Sequence, residues 1–180
     1  MRCFVAIAVP EHIRESLVSI AEGTPVGRPA PPENLHLTLA FLDELSDGEV
    51  VAVHERLSEI TGARFSLQID GMDHFGGRKP KILAATLRRS DPLMELHATV
   101  RGKVAAAGIV LARERYRPHI TLARINRPPN RDEAARLGRF LESHALLRPP
   151  AFEVEAFTLF RSDLGRGPAV HTELASYPLT

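Results

Sequence analysis

Two short words in this 180-residue chain, His36-Leu37-Thr38-Leu39 and His119-Ile120-Thr121-Leu122, set an imidazole and a hydroxyl two positions apart. On a strand, side chains alternate between faces, so each histidine shares a face with its threonine while the aliphatic residues point the other way. The pair then stands roughly 7 Å apart along the strand. Histidine's ordinary pKa of about 6.5 lets one ring be neutral while another is protonated, so two imidazoles facing one pocket suit paired base and acid work. Threonine hydroxyls can donate to the oxygens of an anion. With 8 His, 9 Thr and 22 Leu in the chain, the pattern His-x-Thr-Leu is expected roughly 0.05 times by chance. It occurs twice. A third partial match, His97-Ala98-Thr99-Val100, falls in a helical stretch, where residues two apart do not share a face. A lone histidine of this kind reads most simply as a packed strand residue; the duplication is what points to chemistry.

The surrounding pattern supplies elements to hold these words. Cys3 to Val9 is an apolar run that reads as a strand. Pro10 then opens a helix with Ile13, Leu17 and Ile20 at helical spacing. Residues 23 to 34 carry four prolines and two glycines and read as a loop. Leu35 to Leu42 follows as a strand, and Ser46 with Glu49 forms a capping box for a helix bearing Val50, Val53, Leu57 and Ile60. A strand over Arg64 to Ile69 closes the first unit. The second unit repeats the order: a strand over Lys81 to Leu87, a helix from Ser90 to about Gly108, a strand over Tyr116 to Arg124, a helix over residues 131 to 143, and strands over Phe152 to Phe160 and Val170 to Tyr177. The chain is βαβαβ written twice, with the motifs on the second strand of each unit. Such a repeat implies pseudo-twofold symmetry, which brings residues 83 positions apart together across a shared groove. The expected fold class is therefore α+β, a single bilobal domain over residues 1 to 180 with halves at about 1 to 75 and 76 to 180.

Residues near the motifs extend the site. Arg117 lies two positions before His119, on the same strand face, where a guanidinium can pair with a phosphate in bidentate fashion. Arg124 falls on the opposite parity and reaches the groove only where the strand bends. Phe41 shares parity with Leu37 and Leu39 and reads as core. Phe75, in His74-Phe75-Gly76-Gly77, reads as a loop residue able to stack on a base, and His171 as a residue lining the cleft. The histidines at 12, 54, 74, 97 and 144 read as surface or loop residues. From Arg113 to Arg127 five arginines face one acid, Glu114, a local excess suited to an RNA backbone and also to a solvated face.

Composition limits the alternatives. The 23 Lys and Arg against 22 Asp and Glu give a net charge of +1, too balanced for coating nucleic acid by bulk charge, so any phosphate recognition is local. The single cysteine, Cys3, permits no intrachain disulfide, and the expected location is the cytoplasm. No stretch approaches the roughly 18 apolar residues of a membrane span. Neither motif has carboxylates or further histidines at metal-ligand spacing, so the expected site uses no metal and no cofactor.

The paired motifs, the approach Pro32-Glu33-Asn34-Leu35-His36, and Tyr116-Arg117-Pro118-His119-Ile120-Thr121-Leu122-Ala123-Arg124 resemble the 2H phosphoesterases, and within them the RNA 2′,3′-cyclic phosphodiesterases historically called 2′-5′ RNA ligases. The likeness runs from Phe4 to Leu174. It implies a bilobal 2H phosphoesterase fold with antiparallel sheets around a central cleft, and metal-independent hydrolysis of RNA 2′,3′-cyclic phosphate ends to 2′-phosphomonoesters. It further implies His119 as proton acceptor and His36 as proton donor, with Thr38 and Thr121 on the non-bridging oxygens and Arg117, Arg124, Phe75 and His171 as binding residues. The two motifs are alike, so the sequence alone leaves the direction of proton transfer open. The expected partner is RNA with a cyclic phosphate end or a small cyclic nucleotide, bound by a monomer, with joining of ends through a 2′-5′ bond as a reverse activity. A non-catalytic RNA- or nucleotide-binding module using the same cleft is the alternative. The chain departs from the resemblance in having no tryptophan, in carrying Asp43 where a glycine is common, and in carrying His171 where a tyrosine is common.

Overall fold

The computed structural model describes residues 1–113 and 115–180; Glu114, the one acid of the arginine run, lies outside the described residues. β1 (Arg2–Ala8) leads into α1 (Glu11–Glu22), and the proline-rich stretch holds a two-residue strand, β2 (Arg28–Pro29), and a 3-10 turn over Pro32–Asn34. β3 (His36–Glu44), α2 (Asp47–Ser58), β4 (Phe65–Leu67) and β5 (Ile69–Phe75) follow. Then come β6 (Ile82–Leu87), α3 (Asp91–Ala106), β7 (His119–Arg124), α4 (Arg131–Ser143), β8 (Phe152–Val154), β9 (Ala156–Asp163) and β10 (Val170–Pro178). The capping box at the start of α2 forms: the Ser46 hydroxyl accepts from the Glu49 amide, and Glu49 Oε2 accepts from the Ser46 amide at 2.8 Å. Asn130 and Glu133 build a second one for α4. No helix among the described residues is long and apolar enough to cross a membrane.

The main sheet is antiparallel, in the order β10-β9-β1-β3-β7-β6-β5, with β2 against β7; β4 and β8 form a separate ribbon. The duplication is visible in its registers. On one side of the centre Phe160 pairs with Phe4 and Thr158 with Ala6, which in turn pairs with Thr38. On the other side Phe75 pairs with Ile82 and Asp73 with Ala84, which pairs with Thr121. The two motif strands meet at one register pair, Leu37 with Ile120, both fully buried. Beyond it β3 and β7 diverge, and β2 takes the place beside Ala123 and Arg124. Gly27, with φ +89, allows that approach: a Cβ there would lie 2.6 Å from the Arg124 carbonyl oxygen.

One face of the sheet carries the core. Val5 and Ile7 of β1, Leu37 and Leu39 of β3, Leu83 and Ala85 of β6 and Ile120 and Leu122 of β7 pack with buried residues of all four helices in a single apolar cluster. Each fully buried Val, Leu or Ile side chain there contributes roughly 1.5–3 kcal/mol. The helices are exchanged between the halves, α1 lying against β7 and α3 against β3. The two motif strands are thus fixed by one shared core. Asp43 sits at φ +61, a left-handed conformation that aspartate tolerates and glycine adopts more easily, which is the physical sense of the glycine that the resemblance expects there.

Candidate active site

The motif faces separate as the alternation requires. Leu37 and Ile120 are buried, while His36, Thr38, His119 and Thr121 are half-buried on the opposite face. Because Leu37 lies opposite Ile120 in antiparallel register, one step to either side sets His36 across from Thr121 and Thr38 across from His119. Each histidine therefore faces the threonine of the other motif over the diverging strands.

The ring orientations also repeat. His119 Nδ1 lies 2.7 Å from the carbonyl oxygen of Arg117, two residues back. A carbonyl only accepts, so Nδ1 carries the proton and Nε2 of the neutral ring is a free acceptor. His36 bonds the backbone of Asn34, again two residues back. Burial pushes the His36 pKa down to about 3, helped by the charges of His171 and Arg124.

Arg124 reaches the cleft by a device the alternation hides. In the β1–β3 ladder Val5 pairs with Ala40 and Ala6 with Thr38, leaving Leu39 extra; in the β6–β7 ladder Leu83 pairs with Ala123 and Ala84 with Thr121, leaving Leu122 extra. Each bulge turns two consecutive residues, Leu39-Ala40 and Leu122-Ala123, into the core and reverses the parity beyond. Phe41 and Arg124 occupy equivalent places after the bulges. Phe41 is 64% exposed, not core as its parity implied, and its ring centroid lies 6.2 Å from that of Phe4. Arg124 is exposed, and its charge bears on both His36 and His171.

The other predicted residues fall around the same cleft. Phe75 is the last residue of β5 rather than part of a loop, its ring 4.4 Å from that of His119 and 4.3 Å from the Arg117 guanidinium carbon. Arg117 is held by Asp73 at 3.0 Å. His171, on β10, is 5.2 Å from the His36 ring, and burial, then Arg124, lowers its pKa. Two aromatic residues that sequence reasoning passed over floor the His36 side: Phe4, buried and stacked on His36 at 4.7 Å, and Phe160, stacked on Phe4 at 5.2 Å. His97 is not a surface residue. It is buried on α3 and stacked on Tyr116 at 3.7 Å, and burial lowers its pKa to about 4. The Tyr116 hydroxyl donates to the Thr38 carbonyl at 3.0 Å, a second tie between the motif strands. Among the described residues no three His, Cys, Asp or Glu side chains gather closely enough to hold a metal ion.

The family model of the 2′-5′ RNA ligase superfamily matches residues 9–166. The chain belongs to that superfamily. Similar curated proteins are the RNA 2′,3′-cyclic phosphodiesterases of Escherichia coli, 30% identical over 99% of this chain and 97% of the relative, and of Thermus thermophilus, 30% identical over 99% and 90%. The solved structure of Escherichia coli LigT complexed with 3′-AMP is similar over 99% of this chain and 98% of that one, with 27% identity and a TM-score of 0.80. The superfamily member thus keeps that fold over nearly its full length.

Proposed function

We propose that this superfamily member hydrolyses the 2′,3′-cyclic phosphate ends of RNA in the cytoplasm to 2′-phosphomonoesters; its curated relatives are named RNA 2′,3′-cyclic phosphodiesterases. The observation that supports the reading is the register pair Leu37 with Ile120, from which antiparallel geometry sets His36 across from Thr121 and Thr38 across from His119, with the Arg124 charge bearing on His36. His119, with Nε2 free, takes a proton from water as its oxygen bonds to phosphorus. The bond from phosphorus to the 3′-oxygen breaks, and His36 delivers the proton that this oxygen needs. The threonine hydroxyls and Arg124 stabilise the charge on the non-bridging oxygens. His36 is neutral in the free protein at neutral pH. An entering phosphate anion offsets the charges of Arg124 and His171 and raises its pKa, so substrate arms its own acid. With a 5′-hydroxyl in place of water, the same steps join a 2′,3′-cyclic end to that hydroxyl through a 2′-5′ bond.

The test incubates wild type, His36→Ala and His119→Ala in EDTA with an oligoribonucleotide ending in a 2′,3′-cyclic phosphate, and locates the product phosphate. The expected result is a 2′-phosphate from wild type and a rate lower by about 10² to 10⁴ in each variant. Folded wild type that binds the end without turning it over would overturn the reading and leave a binding module.

A further inference from the structure

Beside His119 the cleft opens into a groove of about 830 Å³ along β5 and β6, bordered by Phe75, Arg117 and Pro118 and continuing to Arg89 and Arg115. Three arginines there, Arg89, Arg115 and Arg117, stand against two acids. Asp70 accepts from the Thr86 hydroxyl at 2.9 Å, and Asp73 accepts from Arg117 at 3.0 Å. Arg89 also reaches the Tyr116 carbonyl at 3.2 Å, which anchors its guanidinium at the groove wall. A second groove, of about 540 Å³ along α1 and the 3-10 turn, has the opposite character: Glu11, Glu15, Glu22 and Glu33 against Arg14. The arginine-lined groove attracts a polyanion leaving the paired histidines. A volume of this size accepts a ligand as large as a nucleotide, and Phe75 offers a ring face at the entrance.

We infer that the Arg89–Arg115 groove is a track for the single-stranded RNA segment that precedes the reacting end, so that the substrate is an oligoribonucleotide rather than a free cyclic mononucleotide. This rests on the hydrolytic reading above for where the end sits. The backbone phosphates upstream of the terminal ribose pass over Phe75 and meet Arg115 and Arg89, while the terminal phosphate stays with the paired histidines. The contacts are to phosphate, so the track adds affinity without base preference.

Binding tests it without requiring turnover. Anisotropy would follow a labelled oligoribonucleotide ending in a 2′-phosphate, with 2′-AMP as the mononucleotide, across a salt series. Wild type is expected to bind the oligonucleotide about tenfold more tightly than 2′-AMP, with a steeper salt dependence. Arg89→Ala with Arg115→Ala should erase that advantage and flatten the salt slope by about 0.7 per arginine removed, leaving 2′-AMP binding unchanged and so showing that the fold is intact. Equal binding of both ligands by wild type, an unaffected double variant, or equal loss of both ligands would each overturn the track. Turnover of a cyclic-ended oligonucleotide, measured in parallel, judges the hydrolytic reading separately: intact oligonucleotide-dependent binding with no turnover would remove that reading and keep the track.

Discussion

The two walls of the cleft have one backbone design and different chemistry. On the β3 side His36 rests on Phe4 and Phe160, with His171 and the exposed Phe41 beside it; on the β7 side His119 rests on Phe75, with Arg117 and Asp73 beside it. The β1–β3 and β6–β7 registers match through the motifs, and the bulge recurs at the same offset from each histidine. What the repeat preserves is the placement of two imidazoles and two hydroxyls. What it releases is the position after the bulge, which aims a phenylalanine on one wall and an arginine on the other. A symmetric scaffold thereby presents an asymmetric site, with one wall suited to flat, weakly polar surfaces and the other to anionic oxygens.

The strongest way to break this comparison is to remove the two equivalent residues separately. Arg124→Ala takes away a cation beside the developing phosphate charge, and a loss of about 10² to 10³ in kcat is expected. Phe41→Ala removes a stacking surface worth roughly 1–3 kcal/mol per base, which should appear as a raised KM with kcat little changed. Steady-state kinetics on one cyclic-ended oligonucleotide reads both. Equal falls in kcat would mean that the walls do not divide the work.

The division was only partly legible in the sequence, and the reasons are local. The motif strands and their shared face followed from alternation, because one side of each is core. The bulges did not. Leu-Ala at the same offset in both motifs is the visible trace, but two apolar residues in a row also fit a strand covered on both faces. Phe4 lay hidden for a related reason: β1 has five consecutive buried residues, so no period of two marks which of them face the cleft. Phe75 followed His74 and preceded two glycines, and its polar and glycine-rich setting masked the end of a strand. Proline density similarly concealed β2, whose two residues join the sheet only because β3 has turned away.

A second prediction sharpens the β3 wall. The folded-state pKa of His36 is about 3 and that of His97 about 4, both below the ordinary value of about 6.5 and both because burial disfavours the charged ring. Between those values the unfolded chain binds protons that the native one does not. Stability is therefore complete above pH ~6.5 and falls as pH drops toward 4, by about 1.4 kcal/mol per pH unit for each such histidine. Urea unfolding of wild type and His36→Gln from pH 7 to 4.5 checks it, the variant being expected to show the shallower decline. The ring titration of His36 by NMR should also move upward when 2′-AMP is added or when Arg124 is replaced by alanine. A His36 already charged at pH 6 in the free protein would contradict the desolvated wall.

The smallest expected effect concerns the seam between the walls. β3 and β7 share one ladder pair, and the Tyr116 hydroxyl adds a bond to the Thr38 carbonyl, next to a side chain that faces His119. Tyr116→Phe keeps the ring that stacks on His97 and removes the hydroxyl that donates to Thr38. A net hydrogen bond of this kind is worth about 1 kcal/mol, so the denaturation midpoint should fall modestly with an unchanged m-value. If the bond merely stabilises the fold, kcat stays at the wild-type level. If it also sets the distance between Thr38 and His119, kcat falls while KM holds, because substrate still binds to walls whose separation no longer suits the transition state. We expect the second outcome, since β3 and β7 share a single ladder pair, Leu37 with Ile120, and the Tyr116 bond is a further tie between the two motif segments.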